Sequence, residues 1–91
     1  MVRPRLPRRL RFDPKALYLK PQGIPLSTLD EVVITHEEIE ALKLYHVDKL
    51  DQKGSAKNMN ISQPTFSRTL DSVYTKLSDA LINGKAIKVE R

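Results

Sequence analysis

The chain has 91 residues, 40% of them hydrophobic, and 16 Lys+Arg against 11 Asp+Glu give a formal net charge of +5. That is enough for one compact core but not two, it leaves little room for a deep catalytic cleft, and it favours an anionic partner. The absence of cysteine excludes disulfides, thiolate nucleophiles and cysteine-held zinc or iron–sulfur sites, and makes a reducing cytoplasm the expected compartment.

The first segment is the most basic. Arg3, Arg5, Arg8, Arg9, Arg11, Lys15 and Lys20 face only Asp13 within residues 1–20, a net +6, while residues 21–91 sum to −1. Pro4, Pro7 and Pro14 fix φ and disfavour both helix and central strand. Residues 1–15 therefore read as an extended basic arm, whose arginines are spaced to follow phosphates or lie in a minor groove; the alternative is a solvated tail that aids solubility. No apolar core of a secretory signal follows the arginines, and the prolines interrupt an amphipathic transit helix. No stretch approaches the ~20 apolar residues of a membrane span.

Residues 16–20 suit a short strand, with Leu17 and Leu19 on one face and Tyr18 on the other. The run Pro21-Gln22-Gly23-Ile24-Pro25 breaks it. Residues 26–34, ending Glu31-Val32-Val33-Ile34, read as a few extended residues or the lead-in to a helix, and are taken as a loop that can carry a bridge. This divides the chain into a basic arm and loop, residues 1–29, and a helical domain with a short tail, residues 30–91.

Thr35-His36-Glu37-Glu38 is a capping box, and Glu37, Glu38 and Glu40 suit the positive end of the helix dipole. Ile34 precedes it as a hydrophobic staple. The helix is expected to run to about His46 and to bury Ile39, Leu42 and Tyr45, flanked by Ala41 and Leu44. Residues 30–51 carry a net −5, and residues 52–76 a net +3, so one face turns from an anion and another toward it. Asp51 caps a second helix ending at Met59, in which Gly54 is a poor helix former. Asn60 tolerates the left-handed conformation of a tight break. Ser62 caps a third helix from Gln63 to about Asn83, with Pro64 in its first turn and Phe66, Leu70, Val73, Leu77 and Ala80/Leu81 at helical spacing. Gly84 follows as the C′ residue. In the tail, Ile87 and Val89 alternate with Lys88 and Glu90, as in a short strand beside residues 16–20.

Residues 52–68, QKGSAKNMNISQPTFSR, have the layout of a helix-turn-helix. Ala56 is small enough for close helix crossing, Asn60 takes the turn, and Met59, Ile61 and Phe66 lock the two helices. Gln63, Pro64, Thr65, Ser67 and Arg68 are left near the exposed start of the third helix, where this motif meets base edges in the major groove. Gln63 can pair with adenine, Arg68 with guanine or a phosphate, and Thr65 can offer a methyl to thymine. Lys53, Lys57 and Lys76, with Ser62 and the helix N-terminus, are candidates for phosphate contact, as are the five arginines of the arm. Two helices joined by a short turn also occur in purely structural bundles. Thr69 stands where a hydrophobic anchor is common, and Gly54-Ser55 is weak helix sequence.

The chain resembles the small prokaryotic proteins grouped as domain of unknown function 134. The likeness rests on Arg3-Pro4 with Arg8-Arg9, on Lys20-Pro21-x-Gly23-Ile24-Pro25, and on Glu40-Ala41-Leu42-Lys43-Leu44. It continues through Ser62-x-x-Thr65-Phe66-Ser67-Arg68 to Asn83-Gly84-Lys85-Ala86. The helical part is also similar to the fourth region of bacterial sigma factors. The resemblance implies a cytoplasmic DNA-binding protein that regulates transcription. Many relatives have Gln-Glu-Glu-Ala-Ala where this chain has Gln52-Lys53-Gly54-Ser55-Ala56, and often an arginine at the position of Gln63.

The expected fold is mainly α: a three-helix helix-turn-helix domain with a basic extended N-terminal arm and short N- and C-terminal strands. The expected partner is double-stranded DNA. The alternatives are an RNA- or ribosome-associated protein led by the arm, and a module that touches RNA polymerase through its acidic first helix. A homodimer is expected, because a single small module buries little surface on DNA; Tyr74, Leu77 and Leu81 either cover the first helix or pair with a second copy. No catalytic residues, cofactor or metal are expected: paired carboxylates, a nucleophile–base pair and a glycine-rich phosphate loop are absent, and His36 and His46 stand in no ligand cluster.

Overall fold

The computed structural model describes residues 16–90. Strand β1 (Leu17–Leu19) is followed by a single 3-10 turn at Leu26–Thr28 and by strand β2 (Glu31–Ile34). Helix α1 (His36–Leu42) runs on into a π-helical turn over Lys43–Val47. Helices α2 (Gln52–Met59) and α3 (Gln63–Asn83) follow, and strand β3 (Ala86–Val89) completes the fold. The architecture is mainly α with a small sheet, and among the described residues no helix is long and apolar enough to cross a membrane.

The helix boundaries follow the capping chemistry. The Glu38 amide donates to Thr35 Oγ1 at 3.2 Å, and the Thr35 amide donates to Glu38 Oε1 at 2.8 Å, closing the capping box. The Gly54 amide donates to Asp51 Oδ1 at 2.7 Å, which starts α2. A Cβ on Gly54 would lie 2.9 Å from that oxygen, a contact that a small movement of the Asp51 side chain relieves. Helix α3 ends at Gly84, which is left-handed at φ 67°.

Two expectations are corrected. Residues 31–34 are a strand, not a loop: β2 lies parallel to β3, with Glu31 opposite Ala86 and Ile34 opposite Val89. A parallel pair needs a long crossover, and the three helices supply it, so the strand's partner lies at the far end of the chain and no local pattern announces it. The buried stripe of α1 is also rotated. Glu38, Ala41 and Leu44 are buried, while Ile39, Leu42 and Tyr45 are only half-buried, because a paired carboxylate takes a place that apolar spacing assigns to a hydrophobe.

The tail strand does pair beside β1, antiparallel, with Leu17 opposite Val89 and Leu19 opposite Ile87. β3 is thus the central strand, in the order β1-β3-β2. Two apolar clusters share α3. Its C-terminal half places Val73, Leu77 and Ala80 on the sheet with Ile34, Ile87 and Val89. Its N-terminal half places Phe66 and Leu70 against Ala41 and Ala56, and Leu42 packs against both clusters. The length of α3 follows from serving both.

Candidate nucleic-acid interface

Helices α2 and α3 are joined by Asn60, Ile61 and Ser62. Asn60 is left-handed at φ 62° and ψ 42°, a conformation open to Asn at modest cost. The Ile61 amide then donates back to the Ala56 carbonyl at 3.0 Å, which folds the chain sharply off the end of α2. Ala56 is buried in one cluster with Phe66, and Met59 and Ile61 pack half-buried at its edge. The methyl of Ala56 allows the close approach that a larger side chain would block.

Ser62 begins α3. Its Oγ accepts from the Thr65 amide at 3.3 Å and donates to Thr65 Oγ1 at 2.9 Å. Thr65 is therefore half-buried, with its hydroxyl tied into the cap, whereas Gln63, Pro64, Ser67 and Arg68 are exposed. At about 100° per residue these four span about 140° of the helix surface, with 63/67 and 64/68 stacked one turn apart. The Thr69 hydroxyl donates to the Thr65 carbonyl at 3.0 Å, so threonine at this anchoring position is satisfied by the backbone.

Lys53 and Lys57 are exposed on α2. With Ala56, Asn60, Ser62 and Gln63 they border a shallow groove of about 540 Å³ across the turn. Among the described residues, Lys53, Lys57 and Arg68 are in no ion pair, so their charge is uncompensated. A second groove of about 350 Å³ is lined by Tyr45 and Gln52 and, along α3, by Ser67, Arg68, Asp71 and Tyr74. Sequence reasoning placed Tyr45 in the buried stripe of the first helix and did not single out Gln52 as a site residue; the position of Gln52 directly after the Asp51 cap was the available signal.

Lys76 stands elsewhere. Its ammonium donates to the Val33 carbonyl at 2.7 Å and to Glu38 Oε1 at 2.9 Å, joining α3 to β2 and α1. Ser72 Oγ donates to the other Glu38 oxygen at 2.7 Å. Burial pushes the Glu38 carboxyl up, but the Thr35 amide, Lys76 and Ser72 outweigh it and hold it below its ordinary value. Near the end of α1, His46 Nε2 is hydrogen-bonded to the Tyr74 hydroxyl. Arg3, Arg5, Arg8, Arg9 and Arg11 lie outside the described residues.

Curated relatives match nearly the whole chain. A UPF0251 protein of Thermoanaerobacter pseudethanolicus is 47% identical over 90 residues, 99% of this chain and 76% of the relative. A UPF0251 protein of Caldanaerobacter subterraneus is 49% identical, again over 99% of this chain and 76% of the relative. One from Dehalococcoides mccartyi is 50% identical over 99% of this chain and 77% of the relative. No solved structure matches. The family described as "Protein of unknown function DUF134" matches residues 1–91, and the chain belongs to that family.

Proposed function

We propose that this protein binds double-stranded DNA and regulates transcription in the cytoplasm, with no catalytic activity of its own. In this reading α2 and α3 are a helix-turn-helix, and the start of α3 enters the major groove. The observation that carries it is the exposed face of Gln63, Pro64, Ser67 and Arg68 beside the uncompensated Lys53 and Lys57. Exposed amide and guanidinium groups read base edges, and flanking cations neutralise phosphates. Thr65 contributes its methyl rather than its engaged hydroxyl. The arginines of residues 1–15 add phosphate contacts.

The test is selection from a random duplex pool with the wild type beside Gln63→Ala/Arg68→Ala. An enriched sequence that the double variant loses is the expected result. Five to seven phosphate contacts give a slope of log K against log salt of about −4.5 to −6. A second reading, association with RNA, is favoured by the +6 concentrated in residues 1–20. It predicts no enriched duplex, equal binding by both proteins, and loss of binding when residues 1–12 are removed.

A further inference from the structure

Gln63, Pro64, Ser67 and Arg68 do not complete the exposed arc at the start of α3. At about 100° per residue, Asp71 falls about 80° round from Gln63, between Ser67 at about 40° and Arg68 at about 140°, and about 12 Å along the axis. It is exposed, and among the described residues it is in no ion pair. With base pairs about 3.4 Å apart, 12 Å covers three to four of them. A helix lying in the major groove therefore carries this carboxylate over base edges, together with Ser67 and Arg68.

An ionised carboxylate only accepts hydrogen bonds, and so do phosphate oxygens, guanine O6 and N7, and thymine O4. The two grooves beside α3 differ on this point. The one across the turn is bordered by Lys53 and Lys57 and by no acid, which suits a phosphate. The other sets Asp71 beside Arg68 and Ser67, and there the acid opposes a phosphate. The donors in the major groove are the amino groups of adenine and cytosine. Adenine sets the acceptor N7 beside its amino group, whereas cytosine presents the amino group without one. Arg68, about one turn before Asp71 in the same groove, carries the opposite set, donors alone, and these fit guanine O6 and N7. Resting on the reading of α3 as the major-groove helix, we infer that Asp71 is a specificity-determining residue: its carboxylate accepts from the N4 amino group of a cytosine, next to a guanine read by Arg68, and repels the other bases at that position.

The experiment is selection from a random duplex pool by the full chain, with Asp71→Asn and Glu37→Gln beside the wild type. Both variants remove one negative charge from an exposed side chain, but Glu37 lies on α1. The expected result is a wild-type site with cytosine fixed at one position. Asp71→Asn loses that preference and favours adenine there, because asparagine pairs with adenine N6 and N7, and it keeps the other positions. Glu37→Gln selects the wild-type sequence. In a duplex that differs only at that cytosine pair, wild-type binding weakens at least ~5-fold, a measurement that needs no variant to fold. A wild type that enriches a sequence which Asp71→Asn enriches unchanged overturns the role of Asp71 and leaves the major-groove reading standing. The same altered preference in Glu37→Gln overturns it too, since net charge alone then sets the preference. A wild type that enriches no duplex overturns the major-groove reading, and the role of Asp71 with it.

Discussion

Glu38 shows how one side chain can terminate a helix and join three elements. Its carboxylate closes the cap of α1, takes the Ser72 hydroxyl and pairs with Lys76, which also holds the Val33 carbonyl of β2. A carboxyl held below its ordinary value stabilises the fold above that value, and the contribution disappears as pH falls through the lowered one. Glu38→Gln should therefore be less stable at neutral pH and lose less stability on acidification below pH 4.5, the ordinary value, which urea titrations at several pH values will show. Ser55 is the reverse case, a fully buried hydroxyl with no hydrogen-bond partner among the described residues. Ser55→Ala removes that group and improves helix propensity, and should stabilise by about 1 kcal/mol in chemical denaturation. The cap was legible in the sequence because its partners are three residues apart. The remaining partners of Glu38 were not, because Ser72 and Lys76 reach it only through the packing of α3 on α1.

Helices α2 and α3 end alike. Asn60 and Gly84 are both left-handed, and the next amide donates five residues back, Ile61 to Ala56 and Lys85 to Ala80, each at 3.0 Å. This is the geometry in which glycine, or less easily asparagine, replaces any other residue. A Cβ on Gly84 would meet nothing within 4 Å, so the cost of Gly84→Ala is conformational alone. A loss of about 1 kcal/mol is expected in thermal unfolding. Asn60→Gly should be neutral or slightly stabilising, while Asn60→Val should lose more than Gly84→Ala, because a β-branched side chain is poorly suited to this backbone. Helix ends were readable because their signals are local and chemical. Strand β2 was not, since Glu31-Val32-Val33-Ile34 neither alternates cleanly nor neighbours its partner in sequence.

At the scale of the molecule, α3 is the spine: its first half builds the candidate interface and its second half covers the sheet. Leu42 packs against both clusters. Leu42→Ala should cost about 2–3 kcal/mol and lower the melting temperature in one transition seen alike by far- and near-ultraviolet circular dichroism. Two separated transitions would show that the clusters are independent. The exposed face of α3 could be read from helical spacing; what covers its far end could not, because Leu77 and Leu81 fit the same periodicity although only Leu77 packs on the sheet.

The central position of β3 also orders the assembly of the protein in time. During synthesis both outer strands emerge before the strand that joins them, and Leu17 waits for Val89 across nearly the whole described chain. The helices, whose contacts are mostly local, can form while the sheet is still open. Sheet closure is then the late event, and a chain interrupted before Ala86 would carry a helical unit with two partnerless strands and a bared apolar face, the kind of surface that aggregates or recruits chaperones.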